Sequence, residues 1–445
     1  MKSRVVVACL LLGVAIVLPF TIKADEDGNR RDRDDRDFRQ SEHHKHNVKT
    51  PVGLIGVIPV PGNPVTSADI AWVDPGTERY YFADRSNFGV DIIDAESDLF
   101  VGRVGGMAGP LTSGGGTALT NGPGPNGVLV TPSRKLWAGD GNSTAQVADV
   151  DPDSPTYLQI LHSVSTAIPA CDSATAHYCG RADELGYDPR DRLILIANNA
   201  PLSVAAPHAA IDPYATFISA MPPYTVLGHL TFAGAGGLEQ PLWDREIRRF
   251  FLTVPGKIAG GIVVTGPSIA VIDPKSMMVE KSYALDCQAL AGTTSASITG
   301  IALGAFQHLL VSACGFPIVL NALTGHVFNV IKQVGGGDEV WHNPGDGRFY
   351  VTGLDTSTPP VQSVGVIDAE TSTWLQNVPN VRGKNPAAFA ETNHTFTIVQ
   401  LNAAIVANPA TDNSTCTLFG FRGTGCIAVF RHATKAEDDD GEDEK

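Results

Sequence analysis

The chain has 445 residues, a net charge of −15 and 43% hydrophobic residues. That is ample apolar sequence for a large core, and the acidic balance argues against a nucleic-acid partner held through its phosphates. Gly (46) and Pro (30) are plentiful, as a fold with many tight turns needs.

Residues 1–24 read as a secretory signal. Lys2 and Arg4 give the positive end, Val5 to Phe20 the apolar stretch, and Ala24 a cleavage position. The stretch is short for a membrane span, and no later segment is long and apolar enough for one. The mature protein is expected to be secreted or periplasmic, without a membrane span, and monomeric. Residues 25–49 are almost wholly charged or polar, so they predict a disordered linker. His43, His44 and His46 within it are better read as a solvated spacer than as a metal site. Residues 435–445 form an acidic tail, also expected to be disordered. Glu437–Lys445 alone holds seven acids and one Lys, a charge of −6.

Between these ends, from residue 50 to 434, one pattern recurs. Tyr80–Asp84, Gly89–Asp94 and Leu99–Val104 are three short apolar strands, the middle one ending Ile92-Ile-Asp94. Short strands repeating every roughly 40–60 residues predict a β-propeller. Seven outer strands can be counted: Leu54–Pro59, Leu99–Val104, Tyr157–Val164, Tyr224–Phe232, Met278–Leu285, Val327–Val334 and Thr373–Val378. The first has no strands before it, and the last group, about Asn385 to His432, has none after it. Pairing the N-terminal strand with the C-terminal blade closes the circle and leaves no open edge. The fold class is therefore all-β, a single seven-bladed β-propeller, with blade boundaries near residues 62, 108, 168, 236, 290, 336 and 383.

Third strands end alike at Asp94, Asp149–Asp151, Asp273, Asn321 and Asp368. Asp or Asn at that place caps the turn into the outer strand, an architectural role. Blade three departs from the pattern, and its Pro- and Ala-rich 200–223 segment is expected to be a protruding loop.

A quieter column lies on the innermost strands. Aligning the turns that follow them brings together Asp69, Asn126, Asp183, Glu239 and Asp338, with Thr299 in blade five and Pro386, beside Asn385, in blade seven. Innermost strands line a propeller's channel, so this column predicts an oxygen-rich ring at one height in its mouth. Such a ring suits a small ligand, a protein, or a hard divalent cation such as Ca²⁺. Turn capping is the alternative for any single member. Glu184, Gln240 and Glu339 follow three of the positions, and strand residues alternate faces, so the doubled acids cannot all be turn caps. Candidate metal ligands are Asn126, Asp183, Glu184, Glu239, Asp338 and Glu339. Candidate ligand-binding residues are Asp69, Asn126, Gln240, Trp243 and Trp341. Glu239, Asp338 and His342 are the candidate acid–base residues, because crowded carboxylates acquire raised pKa values. Trp72, Trp243 and Trp341, three or four residues after the acids, read as packing between blades, or as an aromatic wall for a ligand.

Beyond Cys9 six cysteines remain, which in an exported chain suggests disulfides. Fifteen pairings are possible. The local one joins Cys171 to Cys179, Cys287 to Cys314 and Cys416 to Cys426. Asn142, Asn393 and Asn413 begin glycosylation sequons. No haem-attachment or nucleotide-binding motif is present.

The strand end Val366-Ile-Asp-Ala-Glu-Thr371 and the segment Gly124-Pro-Asn-Gly-Val-Leu-Val-Thr-Pro132 resemble the YVTN/YncE-like propellers of exported bacterial proteins. The resemblance covers about residues 52–432. It implies the propeller fold and export, in a group that mixes binding proteins with lactonase-like enzymes. A second, more distant resemblance, to the gluconolactonase propellers, implies a metal-assisted lactonase or esterase in which Asn126, Glu184, Glu239 and Asp338 hold the cation. Those relatives generally have six blades, one fewer than counted here.

Overall fold

The computed structural model describes residues 50–108, 124–141, 143–168, 181–199 and 212–432. The signal, the linker, the acidic tail, Asn142 and the Cys171/Cys179 pair lie outside them. Seven four-stranded antiparallel sheets account for nearly all the strands. In blade one the strands run Ala71–Asp74, Arg79–Asp84, Gly89–Asp94 and Leu99–Gly105, each paired with the next. The following blades open on Pro125–Thr131, Ala182–Asp188, Pro241–Asp244, Ile298–Leu303, Val340–Asn343 and Gly383–Phe389. These first strands pack side by side, and the last of them packs against Ala71–Asp74, so the circle is unbroken. The protein is a seven-bladed β-propeller.

Closure follows the expected route. Val52–Ile58 pairs antiparallel with Cys426–His432, with Val52 opposite His432 and Ile58 opposite Ile427. It is the fourth strand of blade seven, whose other three come from the far end of the chain. The free edge of Cys426–His432 is thereby paired.

The apolar residues gather into seven clusters, each spanning one interface between neighbouring blades. Leu195 and Phe217 of blade three meet Phe250 and Leu252 of blade four. Tyr80 and Phe82 of blade one meet Phe389 and Phe396 of blade seven. Strands buried on both faces, such as Leu193–Asn198, have no polar side turned to water. Outer strands such as Val226–Thr231 alternate between half-buried and exposed. Each large aromatic here contributes on the order of 2–3 kcal/mol by leaving water.

Two glycines mark where innermost strands crowd together. A Cβ on Gly127 would lie 2.4 Å from the Asp183 carbonyl oxygen and the Glu184 Cα. One on Gly300 would meet the Asp338–Val340 backbone at 2.7–2.8 Å. Blades two and five therefore need glycine after their ring residue.

The architectural column behaves as its chemistry demands. The Asp94 carboxylate accepts from Glu96 and Ser97 N–H, Asp273 from Lys275 and Ser276, Asn321 from Leu323 and Thr324, and Asp368 from Glu370 and Thr371. Blade three corrects one expectation. Tyr214–Ser219, inside the segment expected to loop out, is its third strand, buried up to Ser219. Its Tyr-Ala-Thr-Phe-Ile run is apolar enough for a strand, and Ser219 Oγ accepts from Met221 N–H where the other blades use Asp or Asn. Residues 200–211 lie outside the described chain.

Disulfides join Cys287 to Cys314 and Cys416 to Cys426, as the local pairing anticipates. Among the described residues no helix is long and apolar enough to cross a membrane.

Candidate functional site at the channel mouth

The ring residues sit where the innermost strands are irregular. Register shifts fall at Pro125/Val128, Ala182/Leu185, Ile298/Ile301 and Lys384/Pro386, around Asn126, Asp183, Thr299 and Asn385. In blade one Asp69 N–H donates to the Ala83 carbonyl while Ala83 N–H donates to Ile70, so two residues oppose one. Glu239 and Gln240 oppose Thr253 in the same way. These are β-bulges, which re-aim side chains and recur beside binding sites. They also break the strict alternation expected of Asp183-Glu184. In blade seven the bulge brings Asn385 to the ring in place of Pro386.

Polar contacts run round all seven blades. Arg85 Nη2 donates to both Asp69 and Asn126, and Arg85 Nε to Asn126 Oδ1 at 3.1 Å. Asn126 Nδ2 donates to the Ala182 carbonyl at 2.8 Å. Arg181 Nε holds Asp183 Oδ2 at 2.7 Å. Asn199 Nδ2 bridges Asp183 Oδ2 (3.4 Å) and Glu239 Oε1 (3.3 Å). Thr253 Oγ1 donates to the Thr299 carbonyl, and Thr299 Oγ1 to Gly337, each at 2.7 Å. Lys384 Nζ lies 3.4 Å from Asp338 and 3.9 Å from Asp69. Asn385 Nδ2 donates to Asp338 at 3.4 Å.

Three cations that do not align in the repeats, Arg85, Arg181 and Lys384, thus pair with Asp69, Asp183 and Asp338. Arg85 follows a second strand, Arg181 precedes its acid by two residues, and Lys384 stands on the next blade. The nearest signal in the sequence was their closeness to ring residues, as in Arg181-Ala-Asp183 and Lys384-Asn385.

Three further carboxyls have no cation of their own among the described residues. Burial pushes Glu184 well above the usual range, and Asp183, Glu239, Asp338 and Asp69 push it the same way. Glu239 is raised well by burial and then by Asp183, against the pull of Arg181. Burial likewise raises Glu339 well, although the Ala71 N–H opposes it. Asp338 moves the other way. Burial would raise it, but the Lys384 charge, the Asn385 amide and Arg181 together outweigh burial and lower it. Arg181 is kept charged, because Asp183, Asp69 and Glu239 outweigh the cost of its burial. Burial raises Asp183 too, against the pull of Arg181, so the mouth holds three ion pairs and four carboxyls, Asp183, Glu184, Glu239 and Glu339, shifted towards their protonated form.

The residues after the ring positions reach sideways. Gln240 Oε1 accepts from Ile301 N–H at 2.8 Å, and Glu339 Oε2 accepts from Ala71 N–H at 2.9 Å. Glu184 is only 2% exposed, and its Oε2 finds no partner among the described residues; the same holds for Glu339 Oε1. Asp338 is the open member of the ring, its side chain 38% exposed.

The aromatic and histidine candidates pack between strands and blades. Trp72 and Trp341 meet edge to face, 5.5 Å between centroids, and join inter-blade clusters. Trp243 packs on Phe250 at 4.9 Å. His342, four residues after Asp338, lies 5.2 Å from the Phe349 ring. Among the described residues no three His, Cys, Asp or Glu side chains converge as a metal centre requires.

No family model matches this chain, and neither does any curated protein. It is similar to a chain in the crystal structure of the mitotic checkpoint complex, with a TM-score of 0.54 over 96% of this chain and 99% of that one, at 11% identity. The likeness is one of fold alone.

Proposed function

We propose that this protein is an exported, non-enzymatic binding propeller that takes a small, neutral, hydroxyl-rich ligand of the saccharide or polyol kind at the channel mouth. The observation that carries this reading is the ring of paired donors and acceptors, Arg85 with Asp69 and Asn126, Arg181 with Asp183, and Lys384 with Asp338, the Asp338 side chain being 38% exposed.

Charge balance selects the class of ligand. The three ring aspartates are matched by three cations, so the mouth offers alternating donors and acceptors with little net charge. A polyol uses both. A divalent cation would have to displace Arg85, Arg181 or Lys384 from the carboxylates, and the donor set does not fit one in this arrangement. A metal-assisted lactonase would need that same cation, and the same three side chains stand against it. Export rests on the N-terminal sequence and agrees with two disulfides.

Thermal melting against glucose, galactose, sorbitol, myo-inositol and CaCl₂ tests the reading. At least one neutral polyol is expected to raise Tm, and Ca²⁺ at equal concentration is not. A shift with Ca²⁺ alone would overturn it.

A further inference from the structure

Two insertions stand out on the face that carries the channel mouth. Each joins the second strand of a blade to its third, at the end of the sheet where the ring residues stand, as Thr253 opposite Glu239 and Gln240 shows. In blade four the connection is a two-stranded hairpin, Ile258–Ala259 with Ile262–Val263, turned by Gly260 and Gly261, whose φ values of 58° and 78° suit glycine. Its Ile258, Ile262 and Val264 are 59%, 71% and 60% exposed. In blade seven the connection from Val399 to Cys426 carries a tip where Leu418 is 74% and Phe419 43% exposed. The Cys416–Cys426 disulfide holds that tip, and so does the Asp412 carboxylate, which accepts from Ser414 and Gly423 N–H, each at 2.9 Å.

Apolar side chains this exposed gain free energy when something covers them. Charge says what. In a chain of net charge −15, residues 254–267 contain one charged side chain, Lys257, and it is exposed. Residues 413–425 also contain one, Arg422, again exposed. The neighbouring acid, Asp412, is buried and turned into its loop. Asp212 and Asp286, exposed acids of the same face, lie outside both tips and accept from Gly234 and Ala289 N–H. Apolar tips with a cation beside them fit the boundary between acyl chains and anionic headgroups. Blades four and seven lie across the circle from one another, so the tips stand on opposite sides of the mouth. A protein partner would need two separate apolar pockets at that spacing, whereas a bilayer accepts apolar tips anywhere on its plane.

We propose that this face docks on a lipid surface bearing anionic headgroups. Ile258, Ile262, Val264, Leu418 and Phe419 enter the boundary layer, and Lys257 and Arg422 meet the headgroup phosphates. The channel mouth is then turned towards the headgroups. The inference stands without the channel-mouth ligand, since none of these side chains belongs to the ring.

The test is cosedimentation of the full chain with vesicles of equal parts phosphatidylcholine and phosphatidylglycerol, and with vesicles of phosphatidylcholine alone. Binding to the mixed vesicles is expected, and high salt should weaken it. Ile262→Ser and Leu418→Ser change exposed tips with little risk to the fold, and each should weaken binding about tenfold. Lys257→Glu should weaken it as well. Failure of the wild type to bind mixed vesicles would overturn the proposal, as would binding that all three variants leave unchanged. Equal binding to the two kinds of vesicle would overturn the choice of anionic headgroups. A wild-type dimer in solution that Ile262→Ser dissociates, with no vesicle binding, would overturn the proposal in favour of a second copy of this chain.

Discussion

Glu339 Oε2, on blade six, accepts the backbone N–H of Ala71, on blade one, at 2.9 Å. Blade seven lies between them in the circle, so this bond spans the blade at which the chain closes. Gln240 of blade four accepts the Ile301 N–H of the next blade in the same way, with an amide oxygen. An uncharged acceptor is therefore sufficient. Glu339→Gln is expected to leave stability nearly unchanged, whereas Glu339→Leu, which strands the buried Ala71 N–H, should cost about 1–3 kcal/mol. Urea unfolding of both variants measures the difference.

Arg85 is the joint between blades one and two. Asp69 is 6% exposed and Asn126 fully buried, so Arg85→Met leaves a buried carboxylate with only the more distant Lys384, 3.9 Å away. The expected loss is about 3–5 kcal/mol. Adding Asp69→Asn removes the stranded charge and should recover part of it. Equal losses in the single and double variants would show that the ion pair contributes nothing.

Acid should stabilise this protein before it destabilises it. Burial pushes Asp346 up to about 6, in spite of the Tyr350 hydroxyl, Arg348 and Asn343. Glu184, Glu239 and Glu339 are also raised. A carboxyl whose folded pKa exceeds its unfolded one binds more protons when folded. Its contribution is fully present below the unfolded pKa and is lost as pH rises through the folded value. Tm should therefore rise as pH falls from about 7 to about 5. Asp338 and Asp273 have lowered values, so their contribution is lost as pH falls below about 4. Asp346→Asn should flatten the part of the profile near pH 6, worth about 3 kcal/mol for a shift of about two units. Melting curves from pH 3 to 8 (taken at about half-unit steps) would show the rise or its absence.

The propeller was legible in the sequence because each blade repeats the same physical need. A buried third strand must turn sharply into an exposed fourth, and Asp94, Asp273, Asn321 and Asp368 do this by accepting backbone N–H groups. Closure was legible because no strand precedes Val52–Ile58 in its blade and none follows Cys426–His432. Blade three hid its third strand because Ser219 replaces the aspartate. Its outer strand begins at Val226 rather than Tyr224, and that of blade two at Ile160 rather than Tyr157. In blade two the Asp149 carboxylate gathers Ser154 and Thr156 into a long turn. The four acids of the ring, Asp69, Asp183, Glu239 and Asp338, fell at one aligned position of the repeat, with Asn126 at the same position of blade two. Their cations were not legible, because Arg85, Arg181 and Lys384 enter at three different offsets. The bulge between Ala182 and Leu185 leaves no mark in a periodicity of two.

The two disulfides should differ in worth. Cys287–Cys314 closes 27 residues and Cys416–Cys426 closes 10. On loop entropy alone, replacing the first pair by alanine should cost about 1 kcal/mol more than replacing the second. Denaturant midpoints of the two double variants give that comparison.

The central claim is that the ring at the channel mouth binds a neutral, hydroxyl-rich ligand through its paired charges. Calorimetric titration of the polyol that most raises Tm, into wild type and Asp338→Asn, tests it most directly. The Asp338 side chain is 38% exposed. Its amide keeps the shape while removing the charge that Lys384 holds in place. A binding loss of about tenfold, with Tm lowered only by the loss of the Asp338–Lys384 pair, is the predicted result. Polyol binding that survives Asp338→Asn and Glu239→Gln alike, or no polyol binding at all, would contradict the account.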